Sequence, residues 1–154
     1  MHLKAIGSIE TPWKSLGECP RNGRQPNPAP VCKLHILPAF VPGLLALDTF
    51  SHLIVLYWLN RFEDPKLRFT PPFDHQQRGV FATRSPARPN PVGLSVVAFD
   101  GFADPECLLV RYLDCLDGTP LLDIKPYLPT TDAEPQASMG WLAPDATSIS
   151  ESGE

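Results

Sequence analysis

The sequence predicts an all-β fold, an antiparallel barrel or sandwich of short strands, on two observations. Proline supplies 19 of the 154 residues, more than twice the usual ~5%. It breaks helix interiors and central strands alike, so regular elements have to fit between prolines. What fits between them is a series of short apolar runs rich in β-branched and aromatic residues, each bounded by turn formers.

Taken in order, "KAIGSI" and "CKLHIL" read as the first two strands. The longest proline-free stretch, Gly43 to Asp64, opens with a short helical turn in "GLLALD" and continues into "FSHLIVLYWLN", which reads as a fully buried strand. "GVFAT" (79–83), "VGLSVVAFDGF" (92–102) and "CLLVRYLDCL" (107–116) follow as strands. "FDGFADPECLLV" has the form of a hairpin with Asp104-Pro105 near its turn. No repeat and no second domain is visible. Residues 1–130 read as the barrel domain, and 131–154 as an acidic C-terminal extension whose last ten or so residues are expected to fray. Within that extension Trp141 and Leu142 form an apolar pair suited to docking on the barrel or on a second subunit.

Composition bounds the function. A hydrophobic content of 43% with 19% charged residues is ordinary for a globular chain, and no apolar run reaches the ~18 to 20 residues of a membrane span. The start "MHLK" lacks a signal-peptide core, so a cytoplasmic location is expected. Cys19, Cys32, Cys107 and Cys115 have no CxxC spacing and read as reduced thiols, with Cys107 and Cys115 in the core. His52 reads as a core histidine, and His2, His35 and His75 have no metal-ligand spacing, so no metal is expected. The formal net charge of −4 excludes a globally basic nucleic-acid binder, but Arg21, Arg24, Arg78, Arg84 and Arg88 all fall in irregular segments. There they can form a local positive patch.

The common nucleotide, metalloprotease and hydrolase motifs are absent. Three segments remain. In "RSPARPNPVGLS" (84–95), Arg84 and Arg88 flank Ser85 while Pro86, Pro89 and Pro91 fix φ. Such a loop loses little freedom on ordering, and guanidinium groups match carboxylate or phosphate through paired donors. The alternative is a structural loop whose arginines pair with acids elsewhere. In "LDCLDGTPLLDIKPY" (113–127), Asp114, Asp117 and Asp123 accompany Lys125 and Tyr127. Asp117-Gly118 is a turn signal, whereas Asp114 ends an apolar strand and needs hydrogen-bond partners or a cation. In "CPRNGRQP" (19–26), Arg21, Asn22, Arg24 and Gln25 surround Gly23 and could wrap a ligand.

With "GVFATRSPARPNPVGLS" and "LDCLDGTPLLDIKPYLP" in one chain, the sequence resembles the TrmO or TsaA-like family, and "AIGSIETPWK", "CPRNGRQP" and "LDTFSHLIVLYWLN" share the pattern. The resemblance runs from about Leu3 to Pro129. It implies a small antiparallel β-barrel of about six or seven short strands, with proline-rich loops and few short helices, that binds S-adenosylmethionine without a Rossmann sheet. It also implies methyl transfer to N6 of threonylcarbamoyladenosine beside the anticodon of tRNA, by a homodimer. Carried over residue by residue, it assigns cofactor contacts to Arg21, Asn22, Gly23, Arg24, Asn60, Arg61, Phe62, Arg84, Leu94, Arg111, Tyr112, Leu113 and Asp114. Arg84 suits a carboxylate of cofactor or substrate, Asp114 an ammonium or ribose hydroxyls, and Leu94 the adenine.

Arg88, Asn90 and Lys125 are the candidate substrate contacts. Methyl transfer from a sulfonium is a displacement that depends on placement, so a strong base is not essential. Should one act, Asp117, Asp123 and Tyr127 are the candidates. Two other readings compete: the same cofactor with a different RNA or small-molecule acceptor, and a non-catalytic barrel that binds an anion or partner through the Arg84 and Arg88 loop. A tRNA substrate predicts that Arg78 and Arg88 share one basic face near the methyl site.

Overall fold

The apolar runs do form strands, and the strands close on themselves. The computed structural model describes residues 1–144. β1 (Gly7–Glu10), β2 (Cys32–Ile36), β3 (His52–Trp58), β6 (Val92–Asp104), β7 (Cys107–Arg111) and β8 (Thr119–Pro126) make a six-stranded closed antiparallel barrel in the order β1-β2-β7-β6-β3-β8. β4 (Arg68–Phe69) and β5 (Arg78–Gly79) form a separate two-stranded ribbon. The only α-helix among the described residues is α1 (Pro129–Asp132), so the expected all-β barrel with few short helices is what is found.

The core follows from strand alternation. Ile9, Leu34, Leu53, Val55, Val97, Leu108, Val110 and Leu121 are almost completely buried inside the barrel. "FSHLIVLYWLN" is therefore not buried on both faces: Leu53, Val55 and Tyr57 point inward, while His52, Ile54, Leu56 and Trp58 are half-buried. A barrel wall has one interior, and period two sends every other residue outside it. His52 is on the outer set and meets the Ser51 hydroxyl rather than the core. Cys32, Cys107 and Cys115 are buried, and all four cysteines are free.

Other expectations are corrected. "GVFAT" is not a strand beyond Gly79: Val80–Ala82 is a single 3-10 turn, closed by Thr83 N–H on Val80 O, with Val80 completely buried. The run from Cys107 stops at Arg111, because Tyr112 takes φ +85°, a left-handed conformation that ends the ladder. The hairpin is as expected, with β6 and β7 paired across Asp104 and Cys107. β8 was not anticipated as a strand. Trp141 and Leu142 lie in a 3-10 turn against this chain's own loop, where Trp141 Nε1–H donates to Ala82 O at 2.8 Å. The frayed tail expected over the last ten residues falls outside the described ones.

Candidate active site

In an antiparallel barrel, the end of β3, the start of β6, the end of β7 and the start of β8 share one rim. A cavity of about 1090 Å³ opens there, just above the usual range for small-molecule sites. Residues 19–22, 59–62, 71–73, 83–86 and 114–116 wall it together with Arg88, Asn90, Trp141 and Leu142, with the strand ends Tyr57, Leu94 and Thr119 below. Its charged lining is one-sided. Arg21, Arg61, Arg84 and Arg88 face a single carboxylate, Asp114, in a chain whose formal net charge is −4.

Asp114 sits where β7 has ended and β8 has not begun. Burial pushes its carboxyl above the usual carboxylate range, offset in part by the Tyr57 hydroxyl and by Arg84. Tyr57 donates to Asp114 Oδ1 at 2.9 Å and lies 2.8 Å from Ser95 Oγ. Since Tyr57 spends its only proton on Asp114, the Ser95 hydroxyl is the donor to Tyr57. Burial and then the neighbouring Asp114 charge raise the Tyr57 phenol well above its ordinary value, so it remains a donor. Tyr57 was hidden in the sequence. Its only signal is that it is the polar-tipped member of the inward set on β3, and Gly93 opposite it leaves room for the ring: a Cβ there would stand 2.1 Å from Tyr57 Cε2.

The arginine loop is braced from within. Ser85 N–H donates to Thr83 Oγ1, Ala87 N–H to Ser85 Oγ, and Arg88 Nη1 to the carbonyls of Thr83 (2.9 Å) and Ser85 (3.3 Å). Arg84 makes only a long 3.4 Å contact to Leu94 O. Among the described residues neither Arg84 nor Arg88 forms an ion pair. The reading of this loop as a structural brace paired with distant acids therefore holds for neither arginine, although Arg88 does brace the backbone.

The remaining expected site residues divide. Arg21, Asn22, Asn60, Arg61, Phe62, Arg84, Leu94, Asp114, Arg88 and Asn90 line the cavity. Gly23, Arg24 and Tyr112 instead hold the first wall in place: the Arg24 guanidinium lies 3.7 Å from the Tyr112 ring centroid, and a Cβ at Gly23 would come within 1.9 Å of Tyr112 O. Leu113 is a core residue. Arg111 is paired with Asp100 through two hydrogen bonds of 2.7 and 2.9 Å.

Asp117 accepts from Thr11 N–H and pairs with Lys14 at 2.9 Å, and the Lys14 bond holds its carboxyl below the ordinary range. Asp123 pairs with Lys125 at 3.0 Å on the outer face of β8, and Tyr127 lies beyond its far end, where its N–H meets His52 O. Thus Asp117, Asp123, Tyr127 and Lys125 are not brought to the cavity of this chain. Cys19, Leu16 and Thr119, unremarked in the sequence as site residues, do line it.

The donor set suits S-adenosylmethionine. A half-buried carboxylate complements an ammonium, unpaired guanidinium groups complement a carboxylate, and Leu94, 46% exposed, offers an apolar face for a purine. Among the described residues, no group of three or more His, Cys, Asp or Glu converges to hold a metal ion, and no helix is long and apolar enough to cross a membrane.

A closed antiparallel barrel with an arginine-rich rim cavity and one half-buried carboxylate defines a small-ligand-binding β-barrel, not a doubly wound nucleotide domain. The family model of the tRNA-methyltransferase O N-terminal domain matches residues 8–133, and the chain belongs to that family. An S-adenosyl-L-methionine-binding protein of Archaeoglobus fulgidus is 43% identical over 132 residues, spanning 86% of this chain and 93% of that protein. A probable S-adenosyl-L-methionine-binding protein of the same organism is 44% identical over 142 residues, 92% of this chain but 38% of the relative. The tRNA (adenine(37)-N6)-methyltransferase of Escherichia coli K12 is 36% identical over 150 residues, 90% of this chain and 63% of that enzyme. The crystal structure of TrmO from Pseudomonas aeruginosa superposes with a TM-score of 0.74 at 34% identity, covering 94% of this chain and 63% of that one. The chain therefore matches some relatives end to end and spans less than two thirds of others.

Proposed function

We propose that this protein is an S-adenosylmethionine-dependent methyltransferase that modifies N6 of threonylcarbamoyladenosine at position 37 of tRNA, acting as a homodimer. The observation that carries the reading is that Asp114 and several arginines without ion-pair partners among the described residues line one cavity of a barrel from this family. The names of its relatives, an S-adenosyl-L-methionine-binding protein and a tRNA (adenine(37)-N6)-methyltransferase, support both halves of it.

The cofactor supplies an electrophilic methyl group on a sulfonium. Asp114, oriented by Tyr57, would hold the ammonium of the amino-acid moiety, and Arg84 its carboxylate. Leu94 would offer its apolar face to the adenine. Arg21, Asn22 and Asn60 to Phe62 close the sides and exclude water, and Arg88 with Asn90 faces the acceptor. Placing the acceptor nitrogen in line is the main catalytic demand, since orientation alone can supply on the order of 7–11 kcal/mol.

Calorimetric titration with S-adenosylmethionine, followed by transfer of radiolabelled methyl into bulk tRNA, tests the reading. Binding weakened by Arg84→Ala and Asp114→Ala, together with label appearing in tRNA, is the expected result. Binding without label moves the acceptor to another molecule, and no binding refutes the cofactor.

A further inference from the structure

Beside the cavity mouth lies a cluster that the cofactor reading does not use. Phe81 is 75% exposed and Phe73 66% exposed. Between them stands Trp141, stacked on Phe73 with centroids 5.9 Å apart and planes 9° from parallel, and hydrogen-bonded to the carbonyl of Ala82, the neighbour of Phe81. The Arg78 guanidinium lies 4.7 Å from the Trp141 centroid and is steadied by Asp74 at 2.7 Å. The Arg88 guanidinium lies 5.9 Å from the Phe81 centroid.

Single exposed aromatic side chains need no explanation. Two in one cluster, Phe81 beside the Arg88 guanidinium and Phe73 stacked on a Trp141 ring that Arg78 covers, define a surface of a particular chemistry. Flat rings interleaved with cations take up unpaired nucleobases by stacking while the cations meet the phosphates. Phe73, Trp141 and Arg88 also line the cavity, so this surface is continuous with its arginine-rich wall. That continuity favours an anionic, aromatic occupant over an apolar protein face. Trp141 comes from beyond the residues that the family domain spans, 8–133.

We propose that Phe81 and Phe73, buttressed by Trp141 and flanked by Arg78 and Arg88, form a stacking subsite for an unpaired nucleotide next to the methylated base in an RNA loop. The inference rests on the RNA methylation proposed above. It makes Phe81 and Phe73 substrate-positioning residues outside the cofactor contacts.

The test compares wild-type protein with Phe81→Leu, Phe81→Tyr and Phe73→Leu in steady-state methyl transfer to bulk tRNA, with S-adenosylmethionine titration and sedimentation alongside. Phe81→Leu is expected to raise KM for tRNA about tenfold, leave cofactor affinity unchanged, and be rescued by Phe81→Tyr. Methyl transfer with an unchanged KM in both leucine variants overturns this inference alone. A change of sedimentation from dimer to monomer in Phe81→Leu overturns it in favour of a second copy of the chain. Failure of the wild-type protein to methylate tRNA overturns both readings.

Discussion

The two segments that stand out in the sequence, 84–95 and 113–127, contribute very unequally to the cavity. The first places Arg84, Ser85, Pro86, Arg88 and Asn90 of its loop in the lining, followed by Val92, Gly93 and Leu94 at the start of β6. The second, richer in acids, contributes only Asp114, Cys115, Leu116 and Thr119 before becoming β8. A proline-braced loop has no ladder to maintain, so its side chains can converge on one space. A barrel strand sends alternate side chains to opposite faces, and Asp123 and Lys125 pair with each other outside. The lesson is that charge density along the chain is a poorer guide to a site than freedom from a hydrogen-bonded ladder.

The largest effect that could break this contrast is on ligand affinity. Asp114→Ala is expected to weaken S-adenosylmethionine binding about a hundredfold, as loss of one partner of a desolvated charge contact does, while Asp117→Ala leaves it unchanged. Equal losses in calorimetry would erase the distinction between the two aspartates. Next in size, Gly93→Ala forces Tyr57 from its place and should cost about 1–3 kcal/mol of stability by overpacking in a denaturant titration, with weakened ligand binding alongside.

A subtler pair of outcomes sharpens the comparison through pH. The Asp114 carboxyl is raised by burial, so its ionisation costs stability as pH rises past the ordinary carboxylate value, and Asp114→Asn should be more stable than wild type at neutral pH while binding poorly. Tyr57→Phe removes a bond that favours the carboxylate, so the pH below which the ligand is released should move upward. Asp117 behaves oppositely: lowered by its bond to Lys14, it stabilises the fold above the unfolded value and loses that contribution as pH falls. Asp117→Ala should cost about 1 kcal/mol at neutral pH and nothing in strong acid. Smallest of all, Lys125→Ala removes an exposed pair and should change stability by less than about 0.5 kcal/mol.

Most of the barrel was legible because its strands are short apolar runs separated by prolines. β8 was not, since Pro120 and Pro126 mark its ends and Asp123 and Lys125 interrupt it, and only pairing with β1 and β3 makes it a strand. "GVFAT" has strand composition, yet Val80 is drawn into the interior as a turn, which composition cannot foresee. In the site, Arg84 and Asp114 were legible because each sits in a polar interruption next to an apolar run. Tyr57 was not, since a hydroxyl at the end of an inward-facing set looks like core until the space around Gly93 is known.

The closure of β1 onto β8 has a further consequence. A cylinder has no selvedge: every strand of the barrel already has neighbours on both sides, so another copy cannot be stitched on by continuing the weave. Only the β4–β5 ribbon keeps free borders among the described residues. Whatever meets this barrel therefore meets its side chains and loops, not a row of open backbone donors and acceptors.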